Sequence, residues 1–192
     1  MEVTFYFDPA CPFTWRTSRW LRTVAPERDL TVRWSPFSLS ILNGDDVPEQ
    51  YRAPMAASSR ALRLVAALSA DGRHDELGTF YTELGNRTHE AGAVLSDEIV
   101  AAAAEAAGID KAAAVLDDPS WDDAVRESHE TAMTLAGPGI GSPVLQVAGA
   151  ARGLHGPIIA DVPSLDESLR IWDATAALIS IDAFFEVKRG RG

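Results

Sequence analysis

The sequence predicts an α/β fold: a βαβ unit, a long all-helical block and a closing ββα unit. Three observations carry this. Two stretches in the first 34 residues alternate polar and apolar and flank a helical pattern. Residues 48–136 are helical in their periodicity, and beyond a Gly/Pro-rich break two short alternating stretches precede one long amphipathic helix.

Taken in order, Glu2 to Phe7 places Val3, Phe5 and Phe7 on one face, the period of a half-buried strand. Trp15, Ser18, Arg19 and Arg22 follow at helical spacing, with Trp20, Leu21 and Val24 supplying apolar area. Leu30 to Trp34 alternates again after a turn at Pro26 to Asp29. Strand, helix and strand at this spacing form a parallel pair with a right-handed crossover. Pro36, Asn43, Gly44 and Asp45-Asp46 mark Ser35 to Val47 as the place where the chain leaves the sheet.

Within the helical block, Leu62, Val65 and Leu68 recur on neighbouring turns of 57–70. Leu77, Phe80, Tyr81 and Leu84 form the i, i+3, i+4, i+7 stripe of 74–86. Ser96, followed by Asp97 and Glu98, caps a helix that stops near Gly108. Asp110 and Ser120 start two more, the second with Trp121, Val125, Ala132 and Leu135 along one side. This is far more helix than a connection between strands requires.

Gly137 to Pro143 then breaks the pattern, and Val144 to Val147 and Ala150 to Leu154 read as a hairpin about Ala148-Gly149. Gly137, Gly139 and Gly141 precede a strand, with no Lys after them, so they form a permissive loop and not a phosphate cradle. Ser164-Leu165-Asp166-Glu167 is a capping box opening the last helix, with Leu165, Leu169, Trp172 and Ala176 facing inward. Residues 1–47 and 137–192 are therefore expected to form one α/β domain, and 48–136 a helical insertion.

Hydrophobic content of 46% and charged content of 23% over 192 residues are those of a globular protein. No apolar run reaches the length of a membrane span, and the chain opens in strand pattern with no signal segment, so a soluble cytoplasmic protein is expected. A formal net charge of −11 repels nucleic acid and anionic lipid. The one basic cluster, Lys188-Arg189-Gly190-Arg191, is the solvated end of the chain. The expected partners are small molecules, with the protein a monomer or homodimer. His74, His89, His129 and His155 are too scattered for a local metal motif, so no metal is expected.

Cys11 is the single cysteine, which excludes an internal disulfide. It sits where the first strand hands over to a helix. There the unpaired N–H groups and partial positive charge of the first turn favour an anion, and a thiol ionises more easily. Pro12 suits the first helical position, having a helical φ and no N–H to leave unpaired. Thr14 is placed to turn its hydroxyl toward the sulfur. The competing reading of a lone cysteine is a small buried hydrophobe.

The stretch Phe7-Asp8-Pro9-Ala10-Cys11-Pro12-Phe13-Thr14-Trp15 resembles the active-site segment of the DsbA-like branch of the thioredoxin superfamily, which carries Cys-Pro-x-Cys after its first strand. More closely it resembles the actinobacterial mycothiol-dependent nitroreductases. Pro48 to Arg52, Gly85 to His89, Gly141-Ser142-Pro143, Leu154 to Pro157, Leu169 to Ala174 and Phe184 to Arg189 are similar to that group's landmarks. The resemblance implies a thioredoxin-like fold with a helical insertion, mycothiol or a similar thiol as cosubstrate with no tightly bound cofactor, and a cis Ser142-Pro143 bond against Cys11. The chain departs from the pattern at Thr14, where the second, resolving cysteine should stand. It also implies that His89 faces the active site.

Other residues keep two readings. Arg87, Arg52 and Gln50 either hold polar groups of a thiol or form solvated salt bridges. Phe13 and Trp15 either line a groove for a flat substrate or belong to the core. Asp8 either accepts protons or ends its strand. Function divides likewise. In a monothiol oxidoreductase, Cys11 is resolved by an external thiol, because Thr14 forbids the internal disulfide. In a cis/trans isomerase, Cys11 adds reversibly to a conjugated alkene; kappa-class glutathione transferases and 2-hydroxychromene-2-carboxylate isomerases share the inserted-helix plan. A degenerate binding module is the third reading.

Overall fold

A computed structural model describes residues 1–190; Arg191, the last charge of the basic tail, lies outside the described residues. Four strands form one sheet in the order β2-β1-β3-β4. β1 (Glu2–Phe7) pairs in parallel with β2 (Thr31–Pro36), and antiparallel with β3 (Val144–Val147), which pairs antiparallel with β4 (Leu154–His155). α1 (Pro12–Val24) makes the crossover between β1 and β2, and α8 (Leu165–Ile179) closes the chain's ββα unit. Between the two units run α2 (Leu39–Asn43), α3 (Glu49–Ala70), α4 (His74–Gly85), α5 (Asp97–Ala106), α6 (Ala112–Leu116) and α7 (Asp122–Ala136).

β1 is buried on both faces. Val3, Phe5 and Phe7 enter the large core with Trp20, Leu21 and Val24 of α1, Leu62 and Val65 of α3, and Trp172 of α8. Tyr6 faces the other way, with Phe37, Ala132 of α7 and Val144. Aromatic rings join sheet and helices at the first face: Phe7 lies 4.1 Å from Tyr81 of α4 and Phe5 5.4 Å from Trp34, centroid to centroid. The helical block thus shares its core with the sheet.

Three details differ from the sequence reading. β2 runs on to Pro36, and α2 forms inside the segment read as turns, because Ser38 caps it by accepting the Ile41 N–H at 3.1 Å. β4 has two residues and not five, since Gly153 gives its N–H to Leu135 O at the end of α7 instead of to the sheet. On α8 Trp172 is buried and Leu169 and Ala176 pack against the core as the stripe predicts, but Ser168, Thr175 and Ile179 are buried as well and Leu165 is exposed. Ser168 and Thr175 go in because their hydroxyls bond to Pro163 O and Ile171 O, which removes the cost of burying them. The capping box at Ser164 and Glu167 is present.

Candidate active site

The end of β1 is fixed by Asp8, which is fully buried. Its main chain donates N–H to Ser142 Oγ at 3.1 Å and accepts the Cys11 N–H at 3.1 Å. Its carboxylate accepts from Ala10 N–H at 2.8 Å, the Ser58 hydroxyl at 2.5 Å and Leu39 N–H at 2.7 Å. Asp8 therefore ties β1, α2, α3 and the Ser142 loop to one point. Burial pushes its carboxyl above the usual carboxylate range, and the three hydrogen bonds only partly offset this.

Cys11 caps α1 with extended backbone, φ −84° and ψ 114°, and Pro12 takes the first helical position. The thiol donates to Ser142 O at 3.7 Å, and the Ser142-Pro143 bond is cis. Gly156-Pro157 is a second cis bond. The Thr14 hydroxyl pairs with Ser142 Oγ at 2.7 Å and not with the sulfur. Cys11 is 9% exposed, at the edge of being sealed, and it lies against the cis-proline loop.

The other side of the Cys11 turn is held by a π-helical turn, Asn86–Glu90, that continues α4. His89 Nε2–H donates to Pro9 O at 2.8 Å, an assignment the carbonyl dictates because it can only accept. The ring stacks on Trp15 at 5.8 Å. Burial holds His89 below the usual imidazole range, the Pro9 bond opposing. Trp15 is buried, its indole N–H donates to Glu90 Oε1 at 2.5 Å and its ring lies against Gly85, while it also lines the cleft beside Pro12. Arg19 covers the same ring at 3.9 Å, and burial pulls its guanidinium down to about 10. Phe13 is half-buried under Arg16, 5.8 Å away.

Two residues expected either to bind a thiol or to form salt bridges are paired with acids. Arg87 is taken up by Glu83 of its own helical turn at 2.6 Å, and Arg52 by Glu49 at 2.8 Å on an exposed stretch of α3. An i, i+4 or i, i+3 acid is the nearer partner for a flexible arginine. Glu90, Arg19 and Ser58 are not visible as site residues in the sequence; Gly85, a glycine inside a helical stripe, opens the segment that resembles the family's landmark.

Strand order, the inserted helices and the cysteine at the head of α1 beside a cis proline define a DsbA-like protein of the thioredoxin superfamily. Solved structures agree on the fold. A 2-hydroxychromene-2-carboxylate isomerase superposes with TM-score 0.60 at 17% identity, over 93% of this chain and 96% of that one. The cytosolic disulfide reductase DsbM from Pseudomonas aeruginosa gives 0.59 at 16%, over 93% and 100%. The chain belongs to the Rv2466c-like family, described as mycothiol-dependent nitroreductase Rv2466c, whose model matches residues 10–189. Protein Rv2286c of Mycobacterium tuberculosis (strain ATCC 25618 / H37Rv) is 30% identical over 196 residues, covering 97% of this chain and 81% of that protein. This family lies among the thiol-dependent oxidoreductases. Among the described residues no helix is long and apolar enough to cross a membrane.

Proposed function

We propose that the chain is a monothiol oxidoreductase in which the Cys11 thiolate is the nucleophile, mycothiol is the external thiol, and the substrate is a small electrophile or a mixed disulfide. The supporting observation is the position of the sulfur, at the head of α1 and 3.7 Å from the carbonyl that precedes cis Pro143. Thr14 stands where a resolving thiol would be, with its hydroxyl committed to Ser142.

In the cycle, the Cys11 sulfur attacks the mycothiol sulfur of a mixed disulfide between mycothiol and the substrate thiol, forming a Cys11–mycothiol disulfide and releasing the substrate sulfur as thiolate. A mycothiol thiolate then attacks the protein disulfide, giving oxidised mycothiol and free Cys11. One free mycothiol is consumed per mixed disulfide and the disulfide passes to mycothiol by thiol exchange, so no tightly bound cofactor is required. Pro12 sets the first turn, Thr14 and Ser142 hold the loop, and Pro143, Phe13 and His89 flank the approach to sulfur. Residues 1–47 and 137–192 carry the nucleophile and the cis-proline loop, and 48–136 carries His89 and Ser58. A free low-molecular-weight thiol places the reaction in the reducing cytoplasm.

The test uses the mixed disulfide of mycothiol with a chromogenic thiophenol. One equivalent of thiophenolate per Cys11 is expected in a burst, with further turnover only when free mycothiol is added. A burst that survives Cys11→Ser, or none in the unsubstituted protein, refutes the proposal. The inserted-helix architecture shared with the isomerase supports a second reading, reversible addition of Cys11 to a conjugated alkene. Isomerisation of a cis-enone without added thiol, lost in Cys11→Ser, would select it.

A further inference from the structure

We propose that the cleft beside Pro12 is a subsite for the carboxylate of a small monoanionic organic acid, with Arg16 and Arg19 as its cations. This rests on the reading that Cys11 is the nucleophile, and it names the class of substrate brought to that sulfur. The cleft measures about 350 Å³ and starts at the residue following Cys11. Pro12, Arg16 and Arg19 line one wall at i, i+4 and i+7, a single stripe of α1. Trp15 of α1, His89 and Glu90 of the π-helical turn, and Asp161 and Val162 of the loop before α8 line the rest.

Two arginines without an acidic partner meet on this wall; Arg22, Arg126, Arg152, Arg170 and Arg189 also lack one among the described residues, but none of them lines the cleft. Arg28, Arg33, Arg52, Arg60, Arg63, Arg73 and Arg87 each have a carboxylate within salt-bridge distance. Arg16 and Arg19 have none among the described residues, although the chain carries 28 acidic side chains against 17 basic ones and two of the acids line the same cleft. Arg16 has only the Phe13 ring beneath it. Arg19 spends Nε on Ser18 and Nη1 on Thr82, and its Nη2 is buried without a partner. The Arg16 guanidinium, a planar fork with no acceptor among the described residues, matches a carboxylate, whose two oxygens accept in parallel, and Arg19 adds its charge and one unpaired nitrogen.

The acids set the charge of the ligand. Glu90 is partly spent on the Trp15 indole, and Asp161 has no partner among the described residues. Together they oppose a second negative charge in the same space, which favours a monocarboxylate over a phosphate monoester or a dicarboxylate. A volume of this size accommodates a small ligand and not a polymer.

The experiment alkylates Cys11 with ω-bromoalkanoates of two to six carbons and with the corresponding amides. In each, the sulfur attacks the terminal carbon, the C–S bond forms and bromide leaves. At the chain length that lets the acid reach the cleft, the carboxylate-to-amide rate ratio should exceed that of a free thiol and should fall about tenfold in Arg16→Gln, the loss of one charged, hydrogen-bonded contact. Arg19→Lys, which keeps the charge but not the fork, should lower it less. A ratio unchanged within about twofold by Arg16→Gln at every length overturns the subsite. Titration with benzoate and benzamide, followed by amide NMR, decides the matter independently of the sulfur: benzoate should bind and shift the α1 resonances, weakening in Arg16→Gln, and equal behaviour of the two overturns the proposal. Failure of Cys11 to react with acid and amide alike, while benzoate still binds, would instead strike the nucleophile reading alone.

Discussion

The Cys11 turn is gripped from two sides by different means. On the inner side, Asp8, Thr14 and Ser142 form a buried polar knot in which main-chain and side-chain donors converge on few acceptors. On the outer side, Trp15 is fitted between Gly85, His89 and Arg19, and shape does most of the holding. A polar knot fails when one acceptor is lost, because the donors left behind cannot return to water. A fitted ring fails when volume is added.

Removing the knot's acceptor should have the largest effect. Asp8→Ala strands the buried Ser58 hydroxyl and two part-buried N–H donors, each costing about 1–3 kcal/mol at most, so a loss of a few kcal/mol is expected in urea unfolding. Asp8→Asn should fall between, since its amide NH2 must face a donor. An Asp8→Ala variant as stable as the parent would dissolve the contrast between the two sides.

Gly85→Ala comes next. Its backbone, at the end of α4, accepts alanine, but the new Cβ would sit 2.1 Å from Trp15 Cζ3, and overpacking of this kind costs about 1–3 kcal/mol. Tryptophan fluorescence should shift as the ring moves; a stabilised protein with unchanged emission would contradict the packing argument. Glu90→Ala should cost about 1 kcal/mol through the indole hydrogen bond, with Glu90→Gln recovering most of it, as read by thermal unfolding.

The smallest effect is pH dependence. His74 and His129 lie below their usual range because of burial, and each accepts a main-chain N–H, from Trp34 and Ser38, through Nδ1. Neutral rings are required. The unfolded chain takes up protons first as pH drops below about 6.5, so their contribution is complete above that pH and is lost as pH falls through the folded values. Asp8, shifted upward, acts with the opposite sign, its burial penalty easing toward acid. Stability measured in urea should decline from pH 7.5 to 5.5, and less steeply in His129→Gln, whose amide oxygen can still accept from Ser38. An identical slope would remove His129 from the account.

Much of this was legible from residue order. β1, the first position of α1, the Ser96 cap and the Ser164 capping box follow from local patterns, because a strand's period and a cap's hydroxyl act within a few residues. The Cys11 junction was visible for the same reason. What sequence could not give was the fate of side chains whose partners are distant. Thr14 looked free to face Cys11, but Ser142, 128 positions away, took its hydroxyl. Arg87 and Arg52 read equally as ligand groups or as salt-bridge partners, and each meets a nearby acid, while Arg16 and Arg19, which drew no notice as a pair, are left without one. Asp8 read either as a proton acceptor or as a strand end, and its three donors arrive from the next turn, α2 and α3.

The most direct test is the intact mass of the protein after exposure to oxidised mycothiol. One mycothiol per chain, mapped to the Cys11 peptide, released by excess mycothiol and absent in Cys11→Ser, is the expected result. An unmodified protein under conditions that modify an accessible model thiol would contradict the central claim that Cys11 works alone and is resolved from outside.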